Sequence, residues 1–423
     1  MSVRREPGGP AINTSRSTIL DAIRTLGETS RVEIAQATGF TQATVTHAVR
    51  ALLAEGLVVE TGAHSSTRGK PRVLLRLATT SLYAAGIQLS ADWAILSVVD
   101  AAGSLVALQR VPGARGADPD AAARALRGHL DRLLQAAGVP FASLVGLGLV
   151  LPGTLDLENG TLLHSAALPD WAGANVLAAF ERATDVPLLL ATDATAAAAG
   201  ELWRGEVGAS RAHGTVYLGS TLGVGLVLDG QLYQGATSNA GGLGRVLTAT
   251  STAPVPITEL ASPFAVSVAA RRDIANADTS VELDPDSDPS TDFATIAAAA
   301  VRGDAFARGL IIDAANHLAT ALMTVVDLLD LDTLTLAGPS LSVAGSIYLT
   351  TVRDRLDAEA LQAGRPRINV RLSMQVADAA AVGAATMVLR RTLSALAEGS
   401  PWHRPPPSRE AGETPSRTAR PEH

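Results

Sequence analysis

The sequence predicts an α/β protein with a small helical head at its N-terminus and a body of two similar α/β halves. Two observations lead to this prediction. Residues 15–77 contain three short amphipathic helical segments followed by two strand-like runs. Residues 84–110 and 214–235 each read as three strands joined by a polar or glycine-rich loop and a tight turn. Helical stretches follow both copies, so the body is expected to contain two related sheets.

The composition is that of a globular protein with an aliphatic core. The 423 residues are enough for two to four domains, and 47% of them are apolar while only 3% are aromatic. No apolar run reaches the roughly 18 residues that a membrane helix needs, and the first ten residues lack the apolar stretch of a secretory signal. We therefore expect a cytoplasmic protein with no membrane partner.

The chain contains no cysteine, which excludes disulfides and any zinc site built from thiolates. Its eight histidines are scattered, and no two have the spacing of metal ligands. We expect neither a metal nor a cofactor.

Three helices are predicted in the head. The first spans Ser15 to Leu26. Ser30 is expected to cap a short second helix, which Gly39 ends with a tight turn. Thr41 is expected to cap a third helix, Gln42 to Glu55. A short turn between two helices, the second of which enters the major groove of DNA, is typical of a helix-turn-helix.

Two strands and a basic tip are predicted after the third helix. Leu57–Glu60 and Arg72–Leu77 flank the polar segment Thr61–Arg68 and would form a wing. The wing cations Arg68, Lys70 and Arg72 suit phosphates or a narrow minor groove.

Charge is distributed unevenly along the chain. Residues 1–76 carry ten arginine and lysine residues against six acids, a net charge of +4, while the rest carries 24 against 35, a net charge of −11. A basic head on an acidic body favours double-stranded DNA as the partner of the head. For each exposed helix residue the alternative is an ordinary solvated surface position. The predicted DNA-contacting residues are Thr41, Gln42, Thr44, Thr46, His47, Arg50, Arg68, Lys70 and Arg72.

Five segments of the body, in their order and spacing, resemble the ROK family of repressors, open reading frames and kinases. The likeness extends over about residues 15–392 and is strongest with the repressor branch. It implies a winged helix-turn-helix joined to a two-lobed, actin-like (ribonuclease H-like) body. The five segments are residues 146–163, 188–205, 218–244, 331–345 and 377–391.

This resemblance implies a division of the chain into five parts. Residues 1–13 and 398–423 are expected to be disordered, because they are rich in Pro, Arg, Ser and Glu or Gly. Residues 14–78 would form the winged helix-turn-helix. Residues 82–200, completed by 376–395, would form the first lobe, and residues 201–375 the second.

The chain departs from the family pattern at the motifs that carry kinase chemistry. Gln88 stands where family kinases have the Asp of the Asp-x-Gly-x-Thr phosphate turn, and Ala167 replaces an Asn before Trp171. The Glu-x-Gly-His motif, whose His also ligates zinc, has become residues 242–245, Gly-Leu-Gly-Arg. Of the Asn-Asp-Ala-Asn motif only Asp193 remains, the catalytic base of the kinases and a sugar contact in the repressors. The resemblance therefore implies a protein that is not an enzyme.

Some pocket residues remain as candidates for binding an effector. Asp193 could contact a ligand hydroxyl, or could equally cap the helix Ala194–Trp203. Arg245 could bind an anionic sugar, or could pair with an acid of the body. The predicted effector-binding residues are Thr192, Asp193, Trp171, Gly242 and Arg245.

Glycines and histidines of the body have simpler interpretations. Gly219, Gly223 and Gly225 could cradle phosphate, but with no acid at Gln88 we favour close packing. His164 and His213 are expected to be ordinary surface or lobe-edge residues.

The function expected from these residues and the resemblance is a sequence-specific transcriptional regulator, in particular a repressor of carbohydrate-related genes that acts as a homodimer. A sugar or sugar phosphate would be its effector. Two alternatives stay open, a sugar kinase with a fused DNA-binding head and a regulator that responds to no effector.

Overall fold

A computed structural model describes residues 11–64, 72–80, 82–205, 207, 210–248 and 253–397. In the head, the first helix begins earlier than predicted, so the expected disorder of residues 11–13 is wrong. Residues 1–10 and the predicted tail 398–423 lie outside the described residues. The head contains α1 (Ala11–Leu26), β1 (Thr29–Ser30), α2 (Arg31–Thr38), α3 (Gln42–Ala54), β2 (Val58–His64) and β3 (Arg72–Leu77).

The predicted caps set the start of α2 and α3. The Ser30 side chain accepts a hydrogen bond from the Glu33 amide, and the Glu33 carboxylate accepts one from the Ser30 amide at 2.8 Å, which completes a capping box. Gly39 ends α2 in the left-handed region, with φ +72°. Thr41 caps α3 by accepting a hydrogen bond from the Thr44 amide.

A three-stranded sheet in the order β1-β3-β2 closes the head. The two-residue strand β1 was not predicted, and it pairs with β3 through Thr29 opposite Leu75. Strand β2 reaches His64, past the expected loop start, because a bulge between Glu60 and Gly62 lets the pairing continue. Leu26, at the end of α1, is 46% exposed.

The body contains two five-stranded sheets, each with the same strand order. In the first lobe the order is β10-β7-β4-β5-β6, with β4, β7 and β10 parallel. The elements of this lobe are β4 (Tyr83–Leu89), β5 (Trp93–Asp100), β6 (Leu105–Pro112), α4 (Pro119–Ala136), β7 (Leu144–Leu151), β8 (Thr154–Asp156), β9 (Thr161–His164), α5 (Val176–Ala183) and β10 (Leu188–Thr192); they lead into α6 (Asp193–Trp203).

In the second lobe the order is β13-β12-β11-β16-β17, with β11, β16 and β17 parallel. The internal repeat predicted the meander of three strands in each sheet, and the structure adds two later parallel strands to each. The elements are β11 (Ala212–Leu218), β12 (Leu222–Leu228), β13 (Gln231–Tyr233), β14 (Leu247–Thr248), β15 (Val255–Pro256), α7 (Thr258–Ala261), α8 (Pro263–Asp273), α9 (Pro289–Arg302), α10 (Ala305–Leu329), β16 (Thr333–Ala337), α11 (Leu341–Gln362) and β17 (Asn369–Leu372), followed by α12 (Ala379–Ala397).

Two helices, α6 and α12, cross between the two sheets. Helix α12 lies on β4 and β7, and α6 lies on β11 and β12. Glycines make the close approach possible: a Cβ at Gly86 or Gly148 would overlap the α12 backbone, and one at Gly225 would overlap the Ala194 carbonyl oxygen. At the crossing, a Cβ on Gly383 would overlap the carbonyl oxygen of Ala196. The two lobes therefore meet through backbone contacts.

Helix α10 is, by length and composition alone, long and apolar enough to cross a membrane. One of its faces, which includes Ile311, Leu318 and Leu322, is buried in the core of the second lobe. A core helix passes the same test.

We predict that Gly383→Ala destabilises the protein, because the new methyl group has no space against the Ala196 carbonyl. Overpacking of this kind costs about 1–3 kcal/mol. Gly309→Ala, in α10, is the matched control: nothing lies within 4 Å of its new Cβ, and the change should stabilise the helix by up to about 1 kcal/mol. Urea unfolding of both variants measures the difference. A Gly383→Ala protein as stable as the parent would contradict the crossing described here.

Candidate nucleic-acid interface and ligand cleft

Helix α3 presents a polar face to solvent above a buried apolar face. Val45, Val49 and Leu52 are fully buried against the other head helices. Five of the predicted DNA-contacting side chains are exposed on the opposite side: Thr41, Gln42, Thr46, His47 and Arg50.

Thr41 and Thr44 have a local structural role as well as their predicted one. Their hydroxyl groups are hydrogen bonded to each other at 2.9 Å, and Thr44 is half-buried. These side chains therefore stabilise the first turn of α3. Gln42, Thr46 and Arg50 are spaced four residues apart, so they form an exposed row along one face of the helix.

The arginines of the head are used in different ways. Arg16 is ion paired with Glu55, and Arg31 with Glu60 at 3.0 Å, so both are neutralised within the head. Within the described part of the chain, no acid lies within 4 Å of Arg50. The wing residues Arg68 and Lys70 lie outside the described residues, and Arg72 begins β3 at the end of the hairpin. Among the described residues, Arg50 on α3 is therefore an exposed cation without an acidic partner.

A buried polar cluster joins the two lobes at the start of α6. The Gln88 amide, on β4, donates to the Asp193 carboxylate at 2.8 Å and also to the Tyr217 hydroxyl of β11. Asp193 was proposed as a cap, but Thr192 occupies that position and accepts a hydrogen bond from the Thr195 amide. Asp193 is the first residue of the helix, and its side chain is directed to the lobe interface.

Burial changes the protonation of this cluster. It raises the pKa of Asp193 to about 7, although the Gln88 hydrogen bond works in the opposite direction. Burial and the nearby Asp193 also hold the pKa of Tyr217 well above its ordinary value. The Gln88 Oε1 atom is buried without a hydrogen-bond partner among the described residues. An acceptor in this state favours a donor from a ligand.

The five predicted effector-binding residues do not all meet. Thr192 and Asp193 begin α6, whereas Trp171 is 2% exposed in the first-lobe core and its Nε1 donates to the Ala117 carbonyl at 2.9 Å. Gly242 and Arg245 are exposed on a short turn. In the ranges that the structure covers, no hydrogen bond or ion pair links Trp171, Gly242 or Arg245 to Asp193.

Three contributors to the lobe interface were missed or misjudged from sequence. Asn239 bridges the lobes, because its side chain accepts from the Leu155 amide at 2.9 Å and donates to the Leu155 carbonyl at 2.7 Å. Tyr217 reads as an ordinary strand residue. Gln88 was noted only as a lost acid.

His213, expected to be a surface or lobe-edge residue, is fully buried on β11. Its Nε2 is 2.9 Å from the Thr215 hydroxyl, and burial, with Arg371 nearby, lowers its pKa to about 3. His164 is exposed, as expected.

The glycines of β12 have the packing role that we favoured. Gly223 and Gly225 lie against Ala194 of α6, which explains their small size. Gly219 precedes β12, and a Cβ there would crowd the Tyr217 ring.

Comparison with known proteins identifies this arrangement. The model of the ROK family matches residues 84–391. The chain belongs to the ROK family. The uncharacterized protein y4fQ of Sinorhizobium fredii is 32% identical over 232 residues, 55% of this chain and 59% of that protein. A xylose repressor of Caldicellulosiruptor bescii is 28% identical over 217 residues, 51% of this chain and 54% of that protein. The chain therefore spans little more than half the length of these two relatives.

Solved structures share the fold of the whole chain and of its body. The crystal structure of a ROK family transcriptional regulator, a homolog of the E. coli MLC protein, superposes with a TM-score of 0.72 at 19% identity, over 92% of this chain and 98% of that one. A ROK family glucokinase from Streptomyces griseus, in complex with glucose and AMPPNP, has a TM-score of 0.61 at 21% identity, over 72% and 98%. The predicted fold class is confirmed.

The zinc site of the ROK family does not fit this chain. There are no cysteines, and the residue in the position of the family histidine is Arg245, whose guanidinium lies against Gly242. The segment that replaces the zinc loop contains the hairpin strands β14 and β15, in which Leu247 pairs with Pro256. No step of the function proposed below involves zinc.

We predict that Asp193→Asn stabilises the protein at pH 8 and has little effect at pH 4. The folded pKa of about 7 lies above the ordinary 3.8. Below about pH 4 the carboxyl group is neutral in both the folded and the unfolded protein, so its burial carries no charge penalty. As the pH rises from about 4 through 7, the unfolded state releases the proton more readily than the folded state, and the free energy of unfolding falls. Asparagine is neutral throughout and keeps an oxygen that can accept from Gln88.

The measurement is the melting temperature of both proteins from pH 4 to pH 8. His213 titrates in both, so its effect cancels in the difference. Asp170→Asn, at an exposed carboxylate, is the control. An equal shift at both ends of the pH range would show that Asp193 is not held neutral by burial.

Proposed function

We propose that this ROK protein is a sequence-specific DNA-binding regulator that represses carbohydrate-related genes. The observation that carries the proposal is the capped helix α3, whose exposed row of Gln42, Thr46 and Arg50 stands beside a β2–β3 wing. Glutamine can pair with adenine through two hydrogen bonds and arginine with guanine, which are the contacts that read sequence in the major groove. The xylose repressor among the relatives supports the repressor assignment.

The regulator is proposed to act as a homodimer in the cytoplasm. One recognition helix covers only a few base pairs, so two heads on half-sites about one helical turn apart give the specificity that one head lacks. The acidic body, kept away from the phosphates, is proposed to supply the pairing surface.

A sugar or sugar phosphate is proposed as the effector, bound at the lobe interface beside Asp193. Two features support a polyhydroxylated ligand: the Asp193 carboxyl can accept from a hydroxyl group, and the unpartnered Gln88 Oε1 needs a donor. Arg245, exposed and with no acid within 4 Å among the described residues, is available to pair with an anionic group.

The wing and the recognition helix are predicted to contribute differently to DNA binding. Arg50→Ala or Gln42→Ala should change base preference at single positions, at a cost of about 1–3 kcal/mol for the preferred duplex. Lys70→Ala should weaken all duplexes alike and reduce the salt slope by about 1. Gln36→Ala, at an exposed position of α2, is the control.

The measurement is selection from random duplexes followed by titration at several salt concentrations, together with a genome-wide footprint of the tagged protein. An Arg50→Ala variant with an unaltered sequence preference would remove α3 from the interface. A parent protein that prefers no genomic fragment over random competitor would overturn the proposed function.

We predict no sugar kinase activity. Phosphoryl transfer needs carboxylates that hold Mg-ATP as well as a base, and the position of the first carboxylate is Gln88, whose amide is engaged with Asp193 and Tyr217. An ATP-dependent phosphorylation assay over common hexoses, with Asp193→Ala as the matched blank, checks this. Product formed by the parent and absent with Asp193→Ala would establish a kinase.

A further inference from the structure

Helix α6 connects the ligand cleft with the DNA-binding head. Its first residue, Asp193, belongs to the polar cluster between the lobes, and its last, Trp203, is 4% exposed beneath the head. Eleven residues at 1.5 Å each place these two ends about 16 Å apart. A single rigid element thus touches both sites.

The body of α6 is bound to the second lobe. Glu201 is fully buried and accepts hydrogen bonds from the Ser373 hydroxyl at 2.7 Å and from the Arg371 guanidinium at 3.3 Å. Both partners lie at the end of β17. Because breaking a buried ion pair is costly, α6 is expected to move with the second lobe.

Trp203, at the end of α6, also contacts the first lobe. Its indole Nε1 donates to the Ala102 carbonyl at 3.1 Å, in the turn between β5 and β6. The ring lies directly against Gly103, where a Cβ would overlap it. The two lobes therefore meet at this side chain.

Helix α1 of the head contacts both sides of this junction. The Arg24 guanidinium lies 4.1 Å from the Trp203 ring centroid and donates to the Trp203 carbonyl. Ile19 and Leu20 share an apolar cluster with Leu393 of α12, which lies on the first lobe. If the lobes rotate relative to each other, α1 cannot keep both sets of contacts unchanged.

We infer that Arg24 and Trp203 are positioning residues that convert a change in lobe closure into a change in the orientation of the DNA-binding head. This inference rests on the proposed function, since it names the regulation of that same head. A ligand that binds one degree of lobe closure more tightly shifts the equilibrium between head orientations. The size of that shift is the difference between its binding free energies for the two states.

The absence of native cysteines allows the lobes to be locked without knowledge of the effector. Thr154 and Thr237 flank the Asn239–Leu155 contact, one on each lobe. The variant Thr154→Cys/Thr237→Cys is joined with a flexible bis-maleimide, and the same protein capped with N-ethylmaleimide is the reference. Hydrogen exchange of the α1 amides and affinity for a duplex selected on the parent protein are measured for both forms.

We expect cross-linking to change the DNA affinity at least about five-fold, the lower end of ordinary allosteric coupling, and to change exchange in α1. In the Arg24→Gln background, cross-linking should change both the DNA affinity and the exchange rates of the α1 amides by less than about two-fold. Arg31→Gln, which removes a head arginine paired with Glu60 away from the body, should retain both effects of cross-linking. Trp203→Phe, which keeps an aromatic ring but loses the bond to Ala102, should give an intermediate response and serves if Arg24→Gln does not fold.

A full cross-linking effect in the Arg24→Gln background, or none in the parent, would overturn the inference. A different result would refute the proposed function and leave the inferred coupling intact. In that case the protein would select no DNA, but cross-linking would still change exchange in α1, and the change would depend on Arg24.

Discussion

The crossing of α6 and α12 between two sheets is the constraint on which the rest of this structure depends. Backbone contacts at Gly383, and at Gly86 and Gly225 on the facing strands, bring four layers together with almost no side chain between them. Helices this close to one another must be built from alanine and glycine, which explains why so few aromatic residues suffice for so large a core. The same closeness means that the lobes can pivot only by moving these two helices.

The two buried carboxylates on α6 differ in how their negative charge is compensated. Glu201 is matched by Arg371, Arg204 and a hydroxyl group, so its charge is compensated and it fixes the helix to β17. Asp193 accepts a side-chain hydrogen bond from the neutral Gln88 amide, with no ion-pair partner among the described residues, and burial moves its pKa to about 7. Asp193 is therefore the more responsive of the two carboxyl groups. Near neutral pH, a small change in its surroundings, such as a new hydrogen bond, changes the fraction that is ionised.

The sequence predicted what local chemistry determines. Ser30 and Thr41 were recognised as caps because capping acts over three residues, and the repeated meander was recognised because strand patterns are local. Strand β1 and the burial of His213 were not anticipated, since each depends on which distant segment packs beside it. At the lobe interface, Asp193 could be named from the family pattern. Its contact with Gln88 could not, because Gln88 lies 105 residues from Asp193 and 129 residues from Tyr217 along the chain.

Gln88 shows why a kinase-shaped body can serve a regulator. An aspartate at this position would place a second carboxylate near Asp193 in a buried site, where like charges repel unless a metal or a proton separates them. In a phosphotransferase that acid is needed to manage magnesium and phosphate. With glutamine, the same position donates hydrogen bonds to Asp193 on α6 and to Tyr217 on the second lobe, so it joins the lobes. Glutamine thus joins the lobes at this position without a second buried negative charge beside Asp193.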